Sequence, residues 1–166
     1  MSKDQMPDNQ YKDKNLPVDV LRKFRLIFGS VKSHFKNVEA ECGISGSQVW
    51  ILKEVKNNPG IGITTISEKL SIHQTTSSLL VEKLVKKKFL IKERSTEDQR
   101  KVGLNVTELG NSILELAPGP AEGLLPNAVR KLSSEKLVLL DALLSDVINE
   151  LGNYDAQMAN KPLADM

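Results

Sequence analysis

The run Gln74-Thr75-Thr76-Ser77-Ser78 sets short polar side chains ahead of Leu79, Leu80 and Val81. Such residues compete with the backbone for hydrogen bonds and weaken a helix interior. They suit a helix whose first turns lie in a DNA groove, where hydroxyls and amides meet base edges. Further on, Asp98-Gln99-Arg100-Lys101 falls in a polar stretch between two strand-like segments. An arginine at such a tip can enter a minor groove, whose negative potential attracts a guanidinium. Asp98 would orient that arginine rather than touch DNA; as an ordinary surface ion pair the two would contribute little. The chemistry on offer is recognition of phosphates and base edges. No Gly-rich phosphate loop, nucleophile elbow or paired histidines occur, so no catalytic residue is expected and an enzyme is the disfavoured class. No Cys/His spacing resembles a metal site, and no cofactor is expected.

The elements that must position these residues are readable around them. Thr65-x-x-Glu68 has the form of a capping box and predicts a short helix from Thr65 to Leu70, after a possible strand at Ile61–Ile63. A turn follows at Ser71–Ile72, then the helix that opens on Gln74. A 100° step per residue puts Ser77, Leu80, Val81 and Leu84 on its core face. Gln74, Thr75, Ser78, Leu79, Glu82 and Lys86 fall opposite, where the helix dipole also favours a phosphate near the N-terminus. Leu79 is read first as packing on a neighbouring helix, and otherwise as a contact for a thymine methyl. Phe89–Arg94 and Val102–Thr107 read as strands, the second by strict alternation of Val102, Leu104 and Val106 with Gly103, Asn105 and Thr107. This is a helix-turn-helix running into a β-wing.

Charge is distributed to match. The 166 residues carry a formal net charge of only +2. Yet Val81–Lys101 holds eight basic residues against four acidic, and Ala121–Asp155 three against six. A basic middle with an acidic end fits a DNA reader with a separate assembly region. Two apolar seams flank that middle. Leu21, Phe24, Phe28, Val31, Phe35 and Val38 recur at alternating spacings of three and four, in a helix expected to end near Cys42-Gly43. Leu137, Leu140, Leu144, Val147 and Leu151 repeat the pattern behind a Ser133 cap. Seams this narrow line helices that pack along other helices. Packing on each other within the chain is one reading, a shared dimer interface through Leu21, Phe24, Phe28, Leu140, Leu144 and Val147 is the other, and the two are compatible.

Between these parts, Ser45-x-x-Gln48 caps a helix carrying Val49, Leu52 and Val55, which Asn57-Asn58-Pro59-Gly60 stops. A helix from Glu108 to Ala117 meets Pro118-Gly119-Pro120, which must kink or break it, and Pro126 repeats the interruption. Met1–Asn15 and Asn153–Met166 are polar and read as frayed arms. Trp50 reads as a core or pocket-edge aromatic, His34 as lying on an exposed helix side, and His73 as able to reach a phosphate. The single Cys42 forms no internal disulfide, and Glu39 and Glu41 beside it disfavour the thiolate that an oxidant sensor needs. A polar start and the lack of any apolar run near 18 residues lead us to expect a cytoplasmic protein that does not enter a membrane.

From about Val18 to Leu151 the chain resembles the MarR family of bacterial transcription regulators. The carriers are SEKLSIHQTTSSLLVEKLVKKKFL and EDQRKVGLNVTELG, with Asp98-x-Arg100 at the wing tip, Leu104-Asn105-Val106-Thr107 in the following strand, and Gly110. There are three departures. Gln99 replaces the arginine common at the middle of the wing motif, Lys88 stands where a glycine usual after the recognition helix would be, and Pro118-Gly119-Pro120 implies a kinked dimerisation helix. The resemblance implies a mainly α fold with a small β-wing, a winged helix-turn-helix with N- and C-terminal dimerisation helices. The expected division is a flexible arm at 1–15, a dimerisation helix at 16–44, the DNA-binding domain at 45–110, dimerisation helices at 111–152 and a flexible tail at 153–166. It further implies a homodimer that binds double-stranded DNA at a pseudo-palindromic operator, usually as a repressor. In many relatives a small aromatic or phenolic effector releases it. The expected DNA-binding residues are Gln74, Thr75, Thr76, Ser78, Leu79, Asp98, Arg100 and Lys101, with Asp98 acting through Arg100. A winged helix used for protein–protein contact, without sequence-specific DNA binding, is the alternative.

Overall fold

The computed structural model describes residues 15–94 and 102–166. Helix α1 (Leu16–Cys42) starts with Pro17 in its first turn, where a missing N–H costs nothing. It ends at Gly43, which takes the left-handed conformation (φ 65°) and donates its amide to the Glu39 carbonyl. Helix α2 (Gly46–Asn57) begins at the full Ser45/Gln48 capping box. Helices α3 (Ile63–Leu70) and α4 (Gln74–Lys86) form the helix-turn-helix. Strands β1 (Leu90–Arg94) and β2 (Val102–Val106) pair antiparallel, with Leu90 opposite Val106 and Lys92 opposite Leu104. Helices α5 (Glu108–Leu116), α6 (Leu124–Arg130) and α7 (Ser134–Glu150) follow, the last capped by the Ser133 hydroxyl as expected.

The core lies where these elements converge on α2. Ile51, Leu52 and Val55 meet Val38 of α1, Ile66 of α3, Val81 and Leu84 of α4, and Leu90 and Leu104 of the strands, all essentially inaccessible to solvent. The wing is tied down at its base. Gly60 donates its amide to the Leu104 carbonyl (2.8 Å), and Leu104 returns one to the Ile61 carbonyl (3.0 Å). A side chain at Gly103 would press within 2.6 Å of the Gly60 carbonyl oxygen, so β2 can cross here only as glycine.

Several expectations change. Helix α3 begins at Ile63, and Gly62 caps it without any side-chain bond, so Thr65 lies inside the helix and no box forms with Glu68. Ile61 makes only an isolated bridge to Leu104, not a strand. His34 is buried rather than exposed, because α6 folds back on α1 and the ring lies against Phe35. Of the two outcomes open to Pro118-Gly119-Pro120, a kink or a break, the structure has the break: Ala117 is already extended (ψ 123°). Pro126 does not interrupt anything, since it sits in the first turn of α6, where amides have no intrahelical acceptor. The segment 153–166, read as a frayed arm, forms 3-10 turns at Ala156–Asn160 and Leu163–Asp165, the second of which packs on α2. Most consequentially, the two seams do not pack on each other. No residue of α7 is buried, and Leu144, Val147 and Leu151 are exposed.

Ser77 sits fully buried on α4 with no hydrogen-bond partner for its hydroxyl among the described residues. Replacing it with alanine removes an unsatisfied polar group, so Ser77→Ala should hold stability or raise it by up to about 1 kcal/mol. Ser77→Leu should cost about 1–3 kcal/mol by overpacking. Urea unfolding of both variants checks this; a clear loss in Ser77→Ala would mean the hydroxyl is paired.

Candidate nucleic-acid interface

The turn between α3 and α4 is sharp because Ser71 adopts a left-handed conformation (φ 54°), after which Ile72 drops into the core. Thr64 carries two side-chain bonds, one within α3 and one that ties α4 to it. Ser67 donates its hydroxyl to the Thr64 carbonyl (2.6 Å), and the Gln74 amide donates to the Thr64 hydroxyl (3.1 Å). Gln74 is thus held by α3 at the mouth of the helix. Ser77, Leu80, Val81 and Leu84 form the buried face of α4, as the 100° spacing requires. On the outer side Gln74 and Thr75 are exposed, and Thr76 and Ser78 are half-buried. Leu79 does not pack on a neighbouring helix as first read: it is 56% exposed, on the outer face. Asp98, Arg100 and Lys101 lie outside the described residues.

The far end of α4 is held by one node. Lys88 takes the left-handed turn (φ 63°) that its position after the helix demands, at a cost that a glycine would avoid. The Thr107 hydroxyl donates to the Lys88 carbonyl (2.7 Å) and accepts the Gly110 amide (3.0 Å), closing the turn and capping α5 at once. A side chain at Gly110 would collide with the Phe89 carbonyl. Nearby, Lys87 donates to the Gly43 carbonyl (3.0 Å), which anchors α4 to the α1–α2 corner. Lys83, Lys86, Lys88, Lys92 and Arg94 stay exposed along α4 and β1, a cationic rim beside the polar face. The sequence reading located Thr107 and Gly110 but missed that one hydroxyl serves both turns.

Behind this face lies a crevice of about 1040 Å³ between α1, α2, the α3–α4 turn and the C-terminal segment. Phe35, Trp50, Ile72 and Leu163 are among its apolar walls. Trp50 is a pocket-edge aromatic as expected, with its indole N–H donated to Glu54 (3.2 Å). Cys42 is buried against α5, its thiol near the Ile113 carbonyl. Burial, and then the adjacent Glu41 carboxylate, push the thiol pKa up, which keeps it protonated and poorly reactive. Among the described residues no cluster of His, Cys, Asp and Glu could hold a metal ion, and no helix is long and apolar enough to cross a membrane.

Comparison with known proteins now bears on this architecture. The family model of the transcriptional regulator SarA/Rot matches residues 33–116, from the second half of α1 through the wing to the end of α5. The chain belongs to the SarA/Rot family of transcriptional regulators. The match covers the node and the whole helix-turn-helix, and it stops where the helix breaks before α6. A curated relative, the HTH-type transcriptional repressor MdtR of Bacillus subtilis, is 17% identical over 120 residues, covering 72% of this chain and 77% of MdtR. Among solved structures, a MarR family transcription regulator superposes with a TM-score of 0.55 at 15% identity, covering 82% of this chain and 90% of its own. FabT of Streptococcus pneumoniae, solved in complex with DNA, gives 0.54 at 18% identity, covering 82% and 97%. This SarA/Rot regulator therefore has the MarR-type winged-helix fold that its sequence resembles, mostly helical with a two-stranded wing.

The node makes a sharp prediction for this family member. Thr107→Ala should lose about 1–2 kcal/mol, the range of a lost helix cap, whereas Thr107→Ser should stay near the wild type. Hydrogen exchange should accelerate in both wing strands of the alanine variant. Equal protection in the two variants would show that the backbone alone holds the wing.

Proposed function

We propose that this SarA/Rot regulator is a DNA-binding repressor that acts as a homodimer on a pseudo-palindromic operator. Helix α4 enters the major groove, with Gln74, Thr75, Thr76, Ser78 and Leu79 at the bases. The wing reaches the adjacent minor groove through Arg100, oriented by Asp98 and flanked by Lys101. The observation that carries this reading is the outer face of α4: small polar side chains and one exposed leucine, backed by a rigid core and rimmed by exposed lysines. A polar, hydroxyl-rich face with a single apolar contact suits base edges and a thymine methyl.

The homodimer reading rests on the two seams. Leu21 and Phe28 of α1 are exposed, with Phe28 stacked on Phe24, and Leu144 and Val147 of α7 are exposed while Leu140 is half-buried. Apolar strips of this length on two helices of one chain call for a partner surface of the same kind. A second copy supplies both strips, so residues 16–44 and 111–152 form the dimer and 45–110 read DNA. The crevice has the volume and apolar lining of a small-molecule site, and a compact aromatic effector would fit between the two regions.

Two experiments test this. Leu140→Glu with Leu144→Glu should abolish the dimer or folding, because charges cannot be buried unpaired in an apolar interface; a folded, dimeric double variant in sedimentation would overturn the dimer. Its half-sites should lie about one helical turn apart, near 10 base pairs. Arg100→Ala should retain the dimer and its melting temperature, and lose about 1–3 kcal/mol of affinity for DNA upstream of its own gene. Its salt dependence should also become shallower, by about 1 in slope. Unaltered binding at physiological salt would sink the wing assignment, and no gel shift by the wild type would turn the reading to a protein-contact module.

A further inference from the structure

The C-terminal segment returns to the reading head. After α7, Gly152 turns the chain in a left-handed conformation (φ 73°), and Asp155 caps the 3-10 turn Ala156–Asn160 by accepting the Gln157 amide (2.9 Å). The segment then crosses the α3–α4 turn, and its Asn160 carbonyl accepts the backbone amide of His73 (3.4 Å), the residue that caps α4. The second turn, Leu163–Asp165, lies on α2. There Gly46 leaves the space that Phe35 and Ala164 fill; a side chain at Gly46 would collide with the Phe35 ring and touch Ala164 at 3.4 Å. Leu163 and Met158 form one wall of the crevice, opposite Phe35 and Trp50.

Two groups of this strap face parts of α4 that DNA would use. The His73 amide is one of the four N–H groups at the start of α4 that have no intrahelical acceptor, and a phosphate seated there would take them. Asp165 lies close enough to Lys83 of α4 for the ammonium to pull its carboxyl pKa down against the larger upward push of burial. The strap thus brings a carbonyl oxygen to the start of α4 and a carboxylate into the field of a lysine on the same helix.

We propose that residues 153–166 are an autoinhibitory strap, docked over the crevice, that competes with the DNA backbone for the His73 amide and the Lys83 side chain. The proposal rests on α4 being the DNA-reading helix. It adds that the resting protein holds this helix partly occupied. A molecule that enters the crevice meets the strap as its competitor, because Leu163 and Met158 already line the space.

Leu163→Asp in the full chain should undock the strap by placing a charge in the apolar wall, and Asp165→Asn should weaken it without disturbing the packing. Docking is read by Trp50, the only tryptophan, whose emission should shift to the red in Leu163→Asp, and by hydrogen exchange of the backbone amides of His73 and Met158, which should become faster. Affinity for DNA upstream of the gene, and for sheared genomic DNA, should rise by about two- to tenfold in Leu163→Asp, the scale of one net hydrogen bond, and by less in Asp165→Asn. The melting transition establishes that Leu163→Asp is folded, and Asp165→Asn alone decides the matter if it is not. DNA affinity in both variants that is equal to or below that of the wild type would overturn the strap and leave the DNA-binding reading standing. Binding by the variants but not by the wild type would support both. No binding by any of the three would overturn both.

Discussion

The reading head depends on one hydroxyl. At the end of α4 the chain must reverse within a single residue, and that residue is Lys88, whose side chain disfavours the left-handed conformation it holds. Thr107 stabilises the reversal by donating to the Lys88 carbonyl while accepting the Gly110 amide. A turn, a wing and a helix start are thereby referred to a single atom. Residues far apart in sequence must agree in register before that atom can make both bonds, and the pairing of Leu90 with Val106 sets that register. The alignment of the outer face of α4 with the wing is a consequence of this closure.

Energetics divide the chain unequally. Helix α2 is surrounded, and its Ile51, Leu52 and Val55 share a core with α3, α4, the strands and the end of α1. That part buries enough apolar surface to hold itself together. Helix α7 buries none of its residues, and the first half of α1 leaves Val20, Leu21, Leu26 and Phe28 in contact with solvent. Capping by Ser133 and alternating leucines favour a helix locally, but most helical stability comes from packing an apolar face. The ends of the chain thus bury far less apolar surface than the middle.

How much of this was legible in the sequence follows the range of the interactions. Local signals read well. The Ser45 capping box, the Gly43 stop and the burial of Ser77, Leu80, Val81 and Leu84 are set by near neighbours and are present. The strand forms at Val102–Val106, although only Leu104 of its alternating residues is buried and Val102 is exposed. Long-range packing read poorly. His34 is buried only because α6 folds over it, and nothing near it in sequence says so. Thr65-x-x-Glu68 has the composition of a cap, but the helix already starts at Ile63 because Gly62 is extended there. Pro126 was misjudged because its effect depends on whether it falls in a first turn or an interior. Of the residues expected at DNA, the structure brings Gln74, Thr75, Ser78 and Leu79 to one outer surface, and Gly46, which seats the C-terminal segment, carried no sequence signal beyond its small size.

The break at Ala117 also bears on how such a molecule can change over evolutionary time. Where one unbroken rod joins a reading head to its partner-binding end, a substitution that rotates the rod re-aims the head. Here α5 stops after Leu116, and the chain restarts through Gly123 into α6 before α7 begins. Torsion applied at α7 is not carried along a continuous hydrogen-bonded ladder to Thr107. The α7 end can therefore drift in sequence, length or angle while the head keeps its setting, and the two halves of the molecule are free to answer to separate selective pressures.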